Sequence, residues 1–552
     1  MKPMTMKIAF LKTRLLLPVL VAVASLAATA HAAAPGITGP AFNLTAQPAY
    51  LTQPDGQAIY SWGYGCTTAP TGFAPSMPNQ TCNTMQVPGP TLIVTEGQTV
   101  TVNLVNQLPT AAGNTSILFP GFQVTGHGVA PNATSPCAIA PQGLLTTEAK
   151  PGCTVQYTFI ASTPGTRSYY SGTQGDLQIE MGLYGAIIVI PATTRAACTG
   201  GLHAANLVAE STWGEKDFRL ASSAYDNDKT CYDREYLFQF SEMDPRVHSQ
   251  ALAQVTAKAG CTAAAAGCSL EVPTEPYHPA YFMINGRSMP DDMDPNYESE
   301  YPHQPYNGNP HLHPGEEVLL RIIGQGRWQH PFHEHANHVR ILARDGNLIL
   351  SATDATQLAG PALFTTTTTP GQAMDGIFYY TGRGLNWDMY GHTGTSNDPL
   401  AKLTCTPDAN GYNTADPTAL NFWEWCADHN KPLQIAPNGD VGAGGPVTLP
   451  DPNILTNGAW YGGSPYLGPN ATQRATGCMP GNALQTNSPN CGGTGSTPPS
   501  GTIANSPSGE AGFAFMWHSH NEREITTNNA FPGGMMMMML VDSREYPIDE
   551  SN

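Results

Sequence analysis

Charged side chains are scarce in this chain of 552 residues. They make up 12% of it, with 24 lysines and arginines against 42 acidic residues and a formal net charge of −18. No cluster of basic residues occurs in the body of the chain. Proteins that bind the phosphate backbone of nucleic acids depend on clustered lysine and arginine. The composition therefore argues against a nucleic-acid partner.

Long apolar runs are also scarce beyond the N-terminal segment. Four basic residues, at positions 2, 7, 12 and 14, precede an apolar run at 15–26 and small residues at 28–32. This order is typical of a secretory signal peptide, so we expect residues 1–32 to be removed and the mature protein to be secreted or periplasmic. No later run reaches the ~20 apolar residues that a helical span needs, so we predict no membrane span.

The cysteines agree with an oxidising compartment, because their number, twelve, is even. Sequence does not fix their connectivity. Pairing of all twelve would leave no thiolate to bind a metal. Neighbouring cysteines form six candidate couples: Cys66 with Cys82, Cys137 with Cys153, Cys198 with Cys231, Cys261 with Cys268, Cys405 with Cys426, and Cys478 with Cys491.

Glycine and proline are abundant, with 56 and 49 residues, and this favours strands joined by many turns. Residues 87–109 contain alternating β-branched side chains on both sides of a Glu96-Gly97 turn, which predicts two strands. Residues 314–324 repeat this pattern. The chain is therefore predicted to be all-β, with one domain at residues 40–195 and a second at 205–545.

The alternation fails between about residues 388 and 512. This segment is rich in glycine, proline, asparagine and threonine and contains four cysteines. Because structureless loops of that length are rare within a compact domain, we predict a long, disulfide-rich, irregular insertion in the second domain. A third domain within residues 376–545 is the alternative.

Two histidine clusters are the strongest functional signal. The first is His330-Pro331-Phe332-His333-Glu334-His335, and the second is His518-Ser519-His520. Alternate side chains of a strand point to the same face, so each cluster presents a pair of imidazoles on one face. If the two strands lie side by side, four imidazoles can converge on one metal ion.

The order of these motifs resembles that of a multicopper oxidase built from cupredoxin domains. Residues 330–335 match the His-Pro-x-His-x-His motif of that family, and residues 518–520 stand where the family has His-Cys-His. Residues 87–109 are similar to its first-domain strands, and residues 182–190 are similar to the strand that closes that domain. The resemblance implies tandem cupredoxin-like Greek-key β-sandwich domains and a copper cofactor.

The chain departs from the family at most copper ligands. Residues 118–121, Leu-Phe-Pro-Gly, replace a His-Trp-His-Gly segment, and residues 172–174 replace a His-x-His pair. Ser519 replaces the cysteine of the blue copper site, and Glu524 stands where a further histidine is expected. A blue copper site needs a thiolate with two imidazoles. The resemblance therefore does not extend to ordinary laccase chemistry.

The surviving histidines are the predicted metal ligands. By the resemblance, His333, His335, His518 and His520 would hold one or two copper ions, with zinc as the alternative, and His330 is the blue-copper histidine by analogy.

Two carboxylates, Glu334 and Glu524, are expected to orient the metal-bound imidazoles without binding the metal themselves. His311 and His313 precede a turn and are expected to be exposed, and a second metal site there is a lesser alternative.

Two classes of function follow from this reading. One is an exported, divergent multicopper-oxidase-like protein that binds copper at the remaining histidines, with oxidoreductase activity toward phenols or reduced metal ions left open. The other is a non-catalytic metal-binding or structural secreted protein on a cupredoxin scaffold. A metal ion is the expected partner in the first class, and the sequence leaves a homo-oligomer open.

Overall fold

The computed structural model describes residues 34–77, 79–217, 219–262, 267–380, 406–409, 411–424, 463–467, 511–542, 544 and 547–548. The predicted signal peptide lies outside these residues. So does most of the predicted insertion, including its four cysteines.

Ten strands lie in the described residues of the first half of the chain, and some of them show alternating burial. In Thr99–Asn106, for example, every second residue is buried, as expected for a strand with one face on a core. The strands are β1 Gly36–Thr38, β2 Ala41–Thr52, β3 Ala58–Cys66, β4 Phe73–Ala74, β5 Leu92–Thr95, β6 Thr99–Asn106, β7 Thr125–Val129, β8 Thr154–Ile160, β9 Gly165–Tyr170 and β10 Tyr184–Ile190.

These strands form a first sandwich of two five-stranded sheets. One sheet has the order β3-β2-β6-β8-β7, and the other has the order β4-β1-β5-β10-β9. The predicted turn at Glu96-Gly97 joins β5 in one sheet to β6 in the other, and Gly97 has a φ of +81° that favours glycine. Leu44, Val102 and Ile187 from the two sheets share one buried core.

Thirteen strands follow in the residues of the second half that the structure describes. They are β11 Arg234–Met243, β12 Tyr281–Ile284, β13 His311–Leu312, β14 Glu317–Gly324, β15 His330–Glu334, β16 Val339–Arg344, β17 Asn347–Leu348, β18 Ala362–Leu363, β19 Thr365–Thr368, β20 Ala373–Tyr379, β21 Gly463–Leu467, β22 Ala511–Ser519 and β23 Met536–Asp542.

A second sandwich is built from these strands. Its first sheet has the order β12-β11-β14-β20-β16-β17, with β18 beside β16, and its second has the order β13-β23-β22-β15-β19, with β21 beside β22. Phe238 and Phe378 of the first sheet pack against Phe332 and Trp517 of the second. The prediction of an all-β chain of tandem sandwiches is confirmed.

The two sandwiches contact each other through buried apolar and polar groups. Ile188 of β10 packs with Ile323 of β14 in a small shared cluster. The Thr166 hydroxyl donates to Asp375 at 2.6 Å, and the Tyr184 hydroxyl donates to Ser241 at 2.7 Å.

Three α-helices interrupt the strands within the described part of the chain. They are α1 Gly175–Gln178, α2 Gly201–Thr212 and α3 Pro245–Ala257. Helix α3 begins with a side-chain cap, in which the Asp244 side chain accepts a hydrogen bond from the backbone N–H of Arg246. A proline also occupies its first turn. Among the described residues, no helix has the length and apolarity that a bilayer crossing requires.

Three disulfides follow the predicted neighbouring couples: Cys66–Cys82, Cys137–Cys153 and Cys198–Cys231. The fourth candidate couple is wrong in this structure, because Cys261 and Cys268 are not bonded. The remaining two couples lie outside the described residues.

Candidate metal centre

Strands β15 and β22 bring the two histidine motifs together. They pair antiparallel, with Phe332 opposite Ser519 and His333 opposite His518. Opposed residues of an antiparallel pair lie on the same side of the sheet. His333 and His518 therefore share one face, which we call the imidazole face.

His335 and His520 follow directly after the ends of the two strands and join the same cluster. The ring centroids of His333 lie 4.8 Å from those of His335 and His520 and 5.6 Å from that of His518. The His518 centroid lies 5.2 Å from that of His335 and 5.4 Å from that of His520. Four imidazoles thus form one compact group, which we call the imidazole cluster.

Hydrogen bonds at Nδ1 orient two of these rings. Nδ1 of His518 donates to the carbonyl oxygen of Ser519 at 2.7 Å, which leaves its Nε2 as the lone-pair nitrogen of a neutral ring. Nδ1 of His333 lies 2.7 Å from the Thr365 hydroxyl, on the neighbouring strand β19. Partners of this kind orient metal-bound imidazoles in proteins.

The spacing of the nitrogens fits ligation of a metal ion. Nε2 of His518 and Nε2 of His335 are 3.3 Å apart. Two nitrogens bound at about 2.0–2.1 Å to a tetrahedral ion lie about 3.3–3.4 Å from each other. The geometry therefore fits a shared ion, and the all-imidazole donor set suits copper or zinc.

The electrostatic environment favours the neutral form of His333 and His518. Burial, followed by the proximity of His518 and His520, lowers the pKa of His333 to about 4. Burial and His520 also lower the pKa of His518. Neutral imidazole is the form that binds metal ions. The cluster opens to solvent at His520, whose side chain is 48% exposed.

The structure does not bring His330 to the other four histidines. His330 is fully buried beneath the sheet, on the face opposite the imidazole cluster. Its Nε2 lies 2.9 Å from Glu242, and its Nδ1 lies 2.8 Å from Glu524. Both ring nitrogens thus meet carboxylates, so no nitrogen remains for a metal.

Ser519 belongs to the same buried network. Its hydroxyl donates to Glu524, which also accepts from the side-chain amide of Asn521 at 2.8 Å. Burial would lower the pKa of His330, but the hydrogen bonds and charges of Glu242 and Glu524 outweigh it and raise the pKa to about 9. The position of the expected cysteine therefore holds a charged hydrogen-bond network.

The predicted supporting carboxylates lie away from the imidazole cluster. Glu524 contacts His330 and Ser519. Glu334 points inward and accepts from the Thr366 hydroxyl at 2.8 Å, and burial raises its pKa to about 8. Sequence reasoning missed Glu242, which lies 88 residues before His330 and carries no motif. It also missed Thr365, whose threonine run gave no ligand signal.

The replaced motifs of the first sandwich serve packing and hydrogen bonding. Phe119 packs against Phe159 and Tyr169, with ring centroids 4.8 and 5.8 Å away. The Thr173 hydroxyl lies 2.8 Å from that of Ser116.

The expectation that the histidines before β14 are exposed is wrong. His313 is 1% exposed, because acidic side chains from distant segments enclose it.

Comparison with known proteins gives matches to part of the chain. Residues 74–194 match a family model described as multicopper oxidase. An L-ascorbate oxidase from Brassica rapa subsp. pekinensis is 35% identical over 104 residues, which are 19% of this chain and 16% of that protein. An L-ascorbate oxidase from Cucurbita maxima is 36% identical over 106 residues, which are again 19% of this chain and 16% of that protein. The match thus spans less than a fifth of these relatives.

Among solved structures, a blue copper oxidase from Nitrosomonas europaea aligns over 90% of this chain and 85% of its own, with 15% identity and a TM-score of 0.40.

Proposed function

Since this chain is a cupredoxin-type member of the multicopper oxidase family, we propose that it binds copper through His333, His335, His518 and His520. The observation that carries the proposal is the convergence of four imidazoles, whose ring centroids lie 4.8–5.6 Å apart in five of the six pairs. Bound copper would supply one-electron redox chemistry. The chain itself holds the rings in place and shields three of them from water.

His330 is left out of the proposed ligand set, because Glu242 and Glu524 occupy both its nitrogens. The four remaining imidazoles are enough to coordinate one metal ion. A second ion would require the four imidazoles to be shared between two metals, so one copper per chain is proposed.

The decisive experiment is the metal content of the mature protein after copper-supplemented expression, measured by mass spectrometry. We expect about one copper ion per chain, lost in the His333→Ala, His518→Ala double variant. His338→Ala is the matched control, since this exposed histidine follows the same motif. Unchanged copper in the double variant, or zinc in place of copper under equal supply, would contradict the proposal.

Electron paramagnetic resonance of the copper-loaded protein tests the number of ions and their setting. A single Cu(II) held by imidazoles gives a signal without the intense blue absorption of a thiolate-bound ion. The absence of a thiolate supports this expectation, because Ser519 and Glu524 fill the corresponding position.

Oxidoreductase activity belongs to the proposal, with phenols or reduced metal ions as the substrate class. A non-catalytic copper-binding role is the second candidate. The observation that favours it is the first sandwich, where Phe119 and Thr173 occupy motifs that carry histidines in the resembling family. Oxidation of a phenol by the loaded protein separates the two: a rate above that of free copper ion supports the enzyme, and an equal rate supports the binder.

Export is also proposed, since three disulfides join cysteines of the described residues and such bonds persist in oxidising compartments. Cell fractionation, with mass determination of the mature N-terminus, tests this. A full-length protein in the cytoplasm would contradict it.

A further inference from the structure

A run of methionines at 535–539 leads into strand β23 and has no part in the imidazole cluster. Because the side chains of a strand alternate between its two faces, the run is divided in two. Met535, Met537 and Met539 point into the second sandwich and are fully buried in its core. Met536 and Met538 therefore point to the other face of the sheet. Packing accounts for the first three methionines but leaves these two unexplained.

The register of β23 on β22 places the two outward methionines beside the imidazole cluster. Met536 lies directly opposite His518, and Met538 lies directly opposite Met516. Opposed residues of an antiparallel pair share a face, and His518 belongs to the imidazole face. Met516, Met536 and Met538 therefore lie together on the imidazole face, next to His518. We call these three residues the thioether row.

The spacing of the thioether row allows its sulfur atoms to converge. The Cβ atoms of directly opposed residues lie about 4.5–5.5 Å apart, and diagonal neighbours remain within reach of long side chains. Met516 is opposite Met538 and diagonal to Met536. Methionine is unbranched and flexible, so its sulfur can adjust to the position that a ligand requires. One ion can therefore contact all three sulfur atoms.

Solvent reaches one side of the thioether row, and the imidazole cluster lies on the other. Met516 and Met538 are half-buried, whereas Met536, opposite His518, is 6% exposed. Outward positions of a strand usually carry β-branched or polar residues, which fit a partly exposed pleated surface. Three thioethers at such positions instead form a path from the surface toward His518.

The chemistry of the thioether row selects the kind of ion. Thioether sulfur is a soft ligand, and soft ligands select Cu(I) among the ions of copper. The thioether is also uncharged. An uncharged donor set favours a monovalent ion over a divalent one, because less charge is left unbalanced away from water. The row therefore suits reduced copper, whereas the neighbouring imidazoles also suit Cu(II) and zinc.

We propose that Met516, Met536 and Met538 bind one Cu(I) ion beside the imidazole cluster. The site receives reduced copper at the half-buried end and holds it next to His518. Naming Cu(I) as the reduced metal ion on which the oxidoreductase acts rests on the proposed function, whereas the thioether site itself does not.

The test begins from a mature protein in which other strong copper ligands are removed. His333→Ala and His518→Ala disable the imidazole cluster. Cys261→Ser and Cys268→Ser remove the two free thiols of the described residues, which also bind Cu(I). This starting variant is titrated with Cu(I) under nitrogen, in competition with the chromogenic chelator bicinchoninate. We expect it to withdraw about one Cu(I) ion per chain from the chelator.

Two triple substitutions are then compared on the starting variant. Replacing Met516, Met536 and Met538 by leucine should abolish the withdrawal of Cu(I), because leucine keeps the volume and removes the sulfur. The matched control replaces the core-facing methionines, Met535, Met537 and Met539, by leucine and should leave the withdrawal unchanged.

The proposal is overturned if the starting variant withdraws no Cu(I), if the outward triple variant still withdraws it, or if both triple variants lose it equally. Because the imidazole cluster is disabled throughout, none of these results depends on whether the four imidazoles bind copper. Copper content of the protein with intact imidazoles tests the proposed function separately.

A milder change decides the matter if the outward triple variant does not fold, as judged by circular dichroism. Met538→Leu alone alters a half-buried side chain. X-ray absorption of the Cu(I)-loaded starting variant should show sulfur neighbours of the copper, and Met538→Leu should remove one of them. Copper with nitrogen and oxygen neighbours alone, or an unchanged number of sulfur neighbours in Met538→Leu, overturns the site.

Discussion

The buried His330 predicts a stability that falls as the pH rises. Burial alone would lower its pKa, but Glu242 and Glu524 raise it from 6.5 to about 9 in the folded protein. The folded state therefore binds this proton more tightly than the unfolded state does. The stabilisation is complete below pH ~6.5 and is lost as the pH rises through 9. A difference of about 2.5 pKa units corresponds to about 3 kcal/mol.

Urea unfolding of the wild type and of His330→Gln at pH 6 and pH 9.5 measures this contribution. The free-energy difference between the two proteins should be about 3 kcal/mol larger at pH 6. Glu180 and Glu334, whose pKa values burial raises to about 8, titrate in the same range in both proteins and cancel in the comparison. His127→Gln, at an exposed position, serves as the control. Equal differences at the two pH values would refute the reasoning.

Three further changes test the packing, the cluster and the disulfides. Trp517→Ala should lower the free energy of unfolding by about 3–5 kcal/mol, because the ring is fully buried between the sheets; a loss below 1 kcal/mol in urea unfolding would contradict this. Thr365→Val removes the hydroxyl that lies at Nδ1 of His333. It should weaken copper binding about 10–100-fold in calorimetric titration. An unchanged affinity would mean that this hydroxyl does not orient the ring. Cys198→Ser with Cys231→Ser removes a disulfide between cysteines 33 residues apart. This should lower the free energy of unfolding by about 3–4 kcal/mol. Calorimetry under non-reducing conditions measures the change, and an unchanged stability would contradict the prediction.

Local periodicity explains why much of the fold could be predicted. The alternation in 87–109 predicts both β5 and β6, and the His-x-His spacing predicts that each histidine pair shares a face. What periodicity cannot supply is the strand partner. His333 and His518 are 185 positions apart and meet only because β15 pairs with β22. Likewise, Glu242 reaches His330 through packing of the two sheets, and no local pattern marks it.

Two features of the structure, helix α3 and the burial of His313, differ in how much local signal the sequence carries for them. Helix α3 was not predicted, although its start carries a local signal, since Asp244 caps it and Pro245 occupies its first turn. His313 had no such local signal. Its position before a turn indicates exposure, whereas its burial depends on Glu215 and Asp542, which lie 98 and 229 residues away.

Strand β23 has a consequence for the order of events during synthesis. It lies between β13 and β22, pairing His311 with Leu540 and His518 with Met536. The sheet that bears the imidazole cluster therefore has a gap until residue 542 has been made. The two histidine motifs do not depend on that strand for their pairing, because β15 and β22 pair directly with each other. Synthesis must therefore pass His520, just after the end of β22, before all four imidazoles of the proposed site are present on one chain.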